Sequence, residues 1–161
     1  MIRARRAAAL LLPVLLISYC GKGIREEAGS VDAKKKIMIA ALPSEYKDRV
    51  VRGLVDRYKT RSRITVVPID RLNSMDTKKY DALVVIDALM AWQMFNARTR
   101  WFIGGINDKE ELKKIVLFFT AGKPSEKYSV MGVDCITGAS EVNADTEVVR
   151  KISERLDRIL K

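Results

Sequence analysis

Four short runs of the chain are apolar almost without a break: residues 36–42 (KIMIAAL), 63–69 (RITVVPI), 80–86 (YDALVVI) and 115–120 (IVLFFT). A strand with one wet face alternates apolar and polar residues, so uninterrupted runs of this length predict strands covered on both faces, as in a parallel sheet. The run at 80–86 carries five apolar residues in succession, from Ala82 to Ile86, and is expected at the centre. Pro68 cannot donate to a ladder, which places the 63–69 strand at an edge or close to its end. A fifth strand is expected over residues 128–136.

Between these runs the period lengthens to that of a helix. Tyr46, Val50, Leu54 and Tyr58 recur every fourth residue behind Ser44, a suitable N-cap. Residues 70–79 form a polar connection with room for a short helical turn. Residues 87–96 read as a loop that leads into a helix containing Trp101 and Phe102, stopped by Gly104 and Gly105. Asp108 caps a short helix ending near Lys113. Asp145 is expected to cap a closing helix with Val148, Val149, Ile152, Leu156, Ile159 and Leu160 on one side. Strands alternating with helices predict an α/β three-layer domain with a mainly parallel sheet. In such sheets ligands are handled outside the carboxyl ends of the strands, so the loop at 87–96 is the first candidate site.

Composition adds limits. The chain has 161 residues, 48% hydrophobic and 31% charged, which fits one packed domain. It contains no histidine, which removes the commonest metal ligand and the commonest general base, and with them a Ser-His-Asp hydrolase. The two cysteines, Cys20 and Cys135, are too few for a metal cluster. The net charge of +10 includes Arg3, Arg5 and Arg6. The remainder reads as a solvated basic surface, then as attraction to anionic lipid headgroups. Nucleic acid is not expected, because no ladder of aromatics accompanies the charge.

The N-terminus reads as an address. Three arginines precede the eleven apolar residues 7–17, too few to span a bilayer, which takes about 20. Ile17-Ser18-Tyr19-Cys20 resembles the lipobox of bacterial lipoproteins, with Tyr19 where a small residue is usual. The resemblance implies a signal peptide over residues 1–19 and lipidation at Cys20. Two acyl chains there, such as palmitate, would give a stable membrane anchor. Residues 20–35 are expected to form a polar tether with a reach of about 20–25 Å, and residues 36–161 the domain. The expected location is the extracytoplasmic face of a membrane in the cell envelope, where an envelope protein partner would be met.

The order and spacing of the domain's pieces resemble the flavodoxin-like family. Tyr80-Asp81, Trp101-Phe102-Ile103 and Thr120-Ala121-Gly122 stand where that family has a tyrosine-aspartate strand, an aromatic-apolar helix end and a threonine-glycine turn. The resemblance implies strand order 2-1-3-4-5 over residues 36–161, with a switch point between the strands at 36 and 80. It also implies FMN as the cofactor class, held at Ser44, Trp92, Phe95, Thr120 and Gly122. The first loop, Ala41-Leu42-Pro43-Ser44-Glu45-Tyr46, departs from the pattern: it has one hydroxyl, no glycine, and an added carboxylate. A phosphate needs several backbone N–H groups and hydroxyls at a helix N-terminus.

Asp134-Cys135-Ile136-Thr137-Gly138-Ala139-Ser140 resembles the motif on which exported flavoproteins receive covalent FMN, with Ser140 as the acceptor. The structural alternative is a tight strand exit at Gly138 and Ala139. The expected function is therefore a lipid-anchored, flavodoxin-like binding or accessory module without tightly bound FMN. The alternative is an FMN-dependent electron-transfer protein, noncovalent at the strand ends or covalent at Ser140. No catalytic or metal-binding residues are assigned.

Overall fold

The computed structural model describes residues 26–90, 94–122, 129–141 and 143–161, and only the backbone of Met94, Phe95 and Asp134. In chain order the elements are β1 (Glu26–Ala28), β2 (Lys35–Ala41), α1 (Glu45–Tyr58), β3 (Ser62–Pro68), two 3₁₀ turns (Ile69–Ser74 and Thr77–Lys79), β4 (Ala82–Met90), β5 (Met94–Phe95), α2 (Ala97–Gly104), α3 (Lys109–Lys113), β6 (Ile115–Thr120), β7 (Ser129–Val130), β8 (Val133–Gly138) and α4 (Asp145–Ile159). The sheet runs β1-β3-β2-β4-β6-β8-β7, with β5 paired to β4 off this path. Strands β3, β2, β4, β6 and β8 are mutually parallel and reproduce the flavodoxin-like order 2-1-3-4-5.

The uninterrupted apolar strands follow from two cores, one on each face of the sheet. Ile37, Ile39, Ala82, Val84, Ile86, Val116 and Phe118 pack with Val50, Leu54, Val148, Ile152 and Leu156 of α1 and α4. Met38, Leu83, Val85, Leu117 and Phe119 pack with Leu72, Phe102 and Ile103 on the other face. Successive side chains of one strand point to opposite faces, so a strand buried on both needs apolar residues at every position. Gly53 lets α1 approach α4 closely, since a Cβ there would lie 2.8 Å from Val149 Cγ2.

Several elements differ from the sequence reading. Residues 26–28, assigned there to the tether, form β1 and pair antiparallel with Ile64, Thr65 and Val66. The strand is short and polar, with Glu27 bonded to Arg63 at 2.7 Å, so its hydropathy resembles that of a linker. β3 is therefore covered over part of its outer side and ends at Pro68, beyond the reach of β1. β4 does not stop at Ile86: Asp87 and Ala88 stay in register with Phe119 and Thr120, and Leu89 and Met90 pair with β5. The single strand expected over 128–136 is a hairpin, β7 and β8, turned at Met131 and Gly132, which have φ of 49° and 87°. α4 begins at Asp145 with no side-chain cap; Asp145 sits in the first turn, 3.3 Å from Arg49.

Candidate functional site

The carboxyl ends of β2, β4, β6 and β8 meet at one edge, where α1 starts. Ser44 caps α1 by accepting the Lys47 N–H at 3.2 Å, and its carbonyl accepts the Asp48 N–H at 2.8 Å. The loop before it is tied to the sheet, with the Leu42 N–H donated to Ile86 O at 2.8 Å. Glu45 pairs with Arg49 at 3.0 Å, one turn along α1.

At the centre of this edge lies Asp87, a carboxylate only 1% exposed. Its Oδ2 accepts the Thr99 hydroxyl at 2.6 Å, and its Oδ1 accepts the Ala88 N–H at 2.8 Å. Lys47, in the first turn of α1, is also buried. Burial pushes its ammonium pKa below the ordinary lysine value, and the negative charges of Asp87 and then Asp48 oppose that shift without cancelling it. Beside it, burial and then the Asp145 charge push the Tyr46 phenol up. Thr120, at the end of β6, is buried with its hydroxyl 3.5 Å from Asp87 O.

The structure thus brings Ser44, in the loop after β2, and Thr120, at the end of β6, to the same edge on either side of β4. Gly122 follows on an exposed turn, and Ser140 is exposed just beyond the end of β8. Phe95 is placed by its backbone, which pairs with Leu89; Trp92 and Cys20 lie outside the described residues. Gly138 is constrained by packing, because a Cβ would come within 3.1 Å of Phe118 and of Val148. Cys135 is half-buried in β8, its sulfur 3.7 Å from Val133 O.

The sequence reading passed over Asp87, Thr99 and the burial of Lys47. The available signal was a single acid inside VVIDAL, at the point where an apolar run would otherwise continue. Chemically the cluster is an anchor for α2: both Asp87 oxygens accept bonds, and the Thr99 proton is directed inward. Among the described residues no group of three or more acid or cysteine side chains is arranged to hold a metal ion. No described helix is long and apolar enough to cross a membrane.

No protein-family model matches the chain, and no curated protein matches it. Solved structures do. The chain is similar to oxidised flavodoxin 2 from Bacillus cereus, at 14% identity over 76% of this chain and 98% of that chain, with a TM-score of 0.43. The fold class rests on the strand order and the two-sided core described above.

Proposed function

We propose that the chain is an extracytoplasmic, lipid-anchored flavodoxin-like protein that serves as a binding or accessory module and holds no FMN tightly. The observation that carries this reading is the state of the first loop. The one aliphatic hydroxyl, on Ser44, is engaged with Lys47 N–H, and the Leu42 N–H is engaged with Ile86 O. Pro43 has no N–H to give, and Glu45 sets a carboxylate at the helix entrance. A phosphate dianion at that place would meet few free donors and one like charge, so the donor set does not fit the group. Anchoring is supported by the arginines, the apolar run at 7–17 and the lipobox-like residues ending in Cys20.

Two measurements test it. Protein purified from a flavin-replete host is expected to be colourless and to gain no bound flavin on titration with FMN. Micromolar or tighter FMN binding would establish the electron-transfer alternative at the strand ends. A yellow band retained after denaturation, on coexpression with a flavin transferase, would establish covalent attachment, with Ser140→Ala as its control. Separately, Cys20→Ala is expected to shift the protein from the membrane to the soluble fraction; unchanged membrane association would remove the lipid anchor.

A further inference from the structure

Trp101 and Met131 are exposed at 74% and 65%, and they share one shallow groove of about 610 Å³ with Ala97, Arg100, Gly104 and Gly105. Positions 97, 100, 101 and 104 fall three and four apart, so they form one face of α2, while Thr99, Phe102 and Ile103 bury the other. The groove floor is open because Gly104 has no side chain. A Cβ there would lie 3.1 Å from Met131 Sδ and 3.4 Å from Met131 Cε. Met131 thus lies over the end of α2, one turn after Trp101.

Two features of this groove are unfavourable for the chain on its own. Met131 and Gly132 make the two-residue turn between β7 and β8 with φ of 49° and 87°. Asparagine or glycine takes such a position at little cost, so a methionine there gives up turn stability for an exposed thioether. Charge is the second feature. α2 holds Arg98 and Arg100 and no acid, and among the described residues neither guanidinium has a carboxylate partner. By contrast Arg49, Arg57, Arg61, Arg63 and Arg150 all pair with acids. None of the described residues lining the groove is acidic. Asp87 is bonded to Thr99 on the buried side of α2, and Asp108 accepts the Glu110 N–H at 2.8 Å. Asp70 and Arg71 carry opposite charges on the 3₁₀ turn Ile69–Ser74, whose Asn73 donates to the Arg98 carbonyl at 3.3 Å.

We propose that this groove docks an acidic segment of a partner protein, with one large apolar side chain entering between Trp101 and Met131 and a flanking carboxylate meeting Arg100. Tryptophan and arginine are enriched among the residues that carry most of the energy of a protein contact, and a thioether adapts to the shape of the entering group. A planar guanidinium takes a carboxylate through two parallel bonds, which makes the charge selective as well as attractive. A second copy of the chain lacks that complement: two-fold pairing of α2 with itself would set four arginines together with no acid between them. The inference rests on the binding-module reading, to which it adds a surface and a class of partner.

The test uses the processed full-length protein in neutral phosphatidylcholine vesicles and two pools of synthetic hexapeptides. Both pools carry a central leucine or phenylalanine; the flanks are aspartate and glutamate in one pool, lysine and arginine in the other. The acidic pool is expected to protect Trp101 from acrylamide quenching, and the basic pool to leave it open. Trp101→Phe should remove the signal, which separates it from that of Trp92. Against the tightest acidic peptide, Trp101→Ala should weaken affinity about 30-fold and Arg100→Glu about 10-fold. Both side chains are exposed, so the denaturation midpoints of these variants should match that of the native chain. No protection by either pool at millimolar peptide, equal protection by both, or full affinity in Arg100→Glu would each overturn the proposal. So would protection that grows with protein concentration alone, which marks a second copy, or that appears on adding phosphatidylglycerol without peptide, which marks lipid. A protein that binds FMN tightly and still takes the acidic pool would end the FMN-free reading and keep the docking. A colourless protein that ignores the acidic pool would end the docking alone.

Discussion

Thr99 donates its hydroxyl proton to Asp87 Oδ2 at 2.6 Å, at a point where Asp87 is 1% and Thr99 0% exposed. This bond fastens the first turn of α2 to the central strand, and it lets β4 carry a carboxylate through a position where both neighbours pair with β6. An Asp87→Ala variant would leave the Thr99 hydroxyl without its acceptor and Lys47 without the larger of the two negative charges that oppose the effect of its burial. Removing one member of such a buried set costs about 3 kcal/mol. The expected result is a clear fall in the denaturation midpoint with a smaller fall for Thr99→Val. Equal stability of Asp87→Ala and the native chain would show that the bond contributes nothing.

The Tyr46 hydroxyl presents the opposite case. It is buried and has no hydrogen-bond partner among the described residues, while burial and then the Asp145 charge hold its pKa above the ordinary tyrosine value. An unsatisfied buried hydroxyl is a cost rather than a gain, so Tyr46→Phe should be neutral or stabilising by up to about 1 kcal/mol. Chemical denaturation of the two proteins at pH 7 decides it. A loss of stability would mean that the hydroxyl has an acceptor in solution.

What the sequence disclosed depended on whether one chain segment carried its own signal. Residues 37–41 and 115–120 are buried on both faces, and their composition says so directly. α1 was visible through the spacing of Tyr46, Val50, Leu54 and Tyr58 together with the Ser44 cap. β1 was not, because three residues with two exposed glutamates gain their place only from pairing with β3. The β7–β8 hairpin was hidden for a related reason: its turn uses Met131, a residue with no turn preference, at positive φ. At the candidate edge Ser44 and Thr120 could be placed from strand ends alone. Asp87 could not be identified as buried, since its partner Thr99 is twelve residues away on another element.

Gly29 is the residue on which the β1–β2 turn depends. Its φ of +91° is open to glycine, and a Cβ would stand 2.1 Å from Ser62 O and 3.0 Å from Lys59 O, both backbone atoms. Ser62 cannot move aside without disturbing β3, nor Lys59 without disturbing the end of α1. Gly29→Ala should cost about 2 kcal/mol or more, and it should detach β1 before the rest of the domain unfolds. Hydrogen exchange at Glu26, Glu27 and Ala28 is the measurement; unchanged protection there would contradict the expectation.

The α1–α4 face predicts an acid dependence with a defined sign. The Tyr58 hydroxyl lies 2.9 Å from Asp157 Oδ1 and 3.1 Å from Ser153 O, and Arg61 Nη2 donates to Asp157 Oδ1 at 2.5 Å. Burial pushes the Asp157 carboxyl up, but the bonds from Tyr58 and Arg61 and the charges of Arg61 and Arg57 outweigh it, leaving the pKa below its ordinary 3.8. A carboxyl whose folded pKa is below its unfolded one stabilises the fold fully above the unfolded value. That contribution is lost as pH falls through the folded value. Asp157 is about a third exposed, so solvent screening limits the effect to about 1 kcal/mol. Asp157→Asn should therefore lower stability at pH 7 and converge with the native chain in the acid range, where both carry a neutral group. Parallel stability curves for the two proteins from pH 7 to pH 2 would show that the contact is not electrostatic.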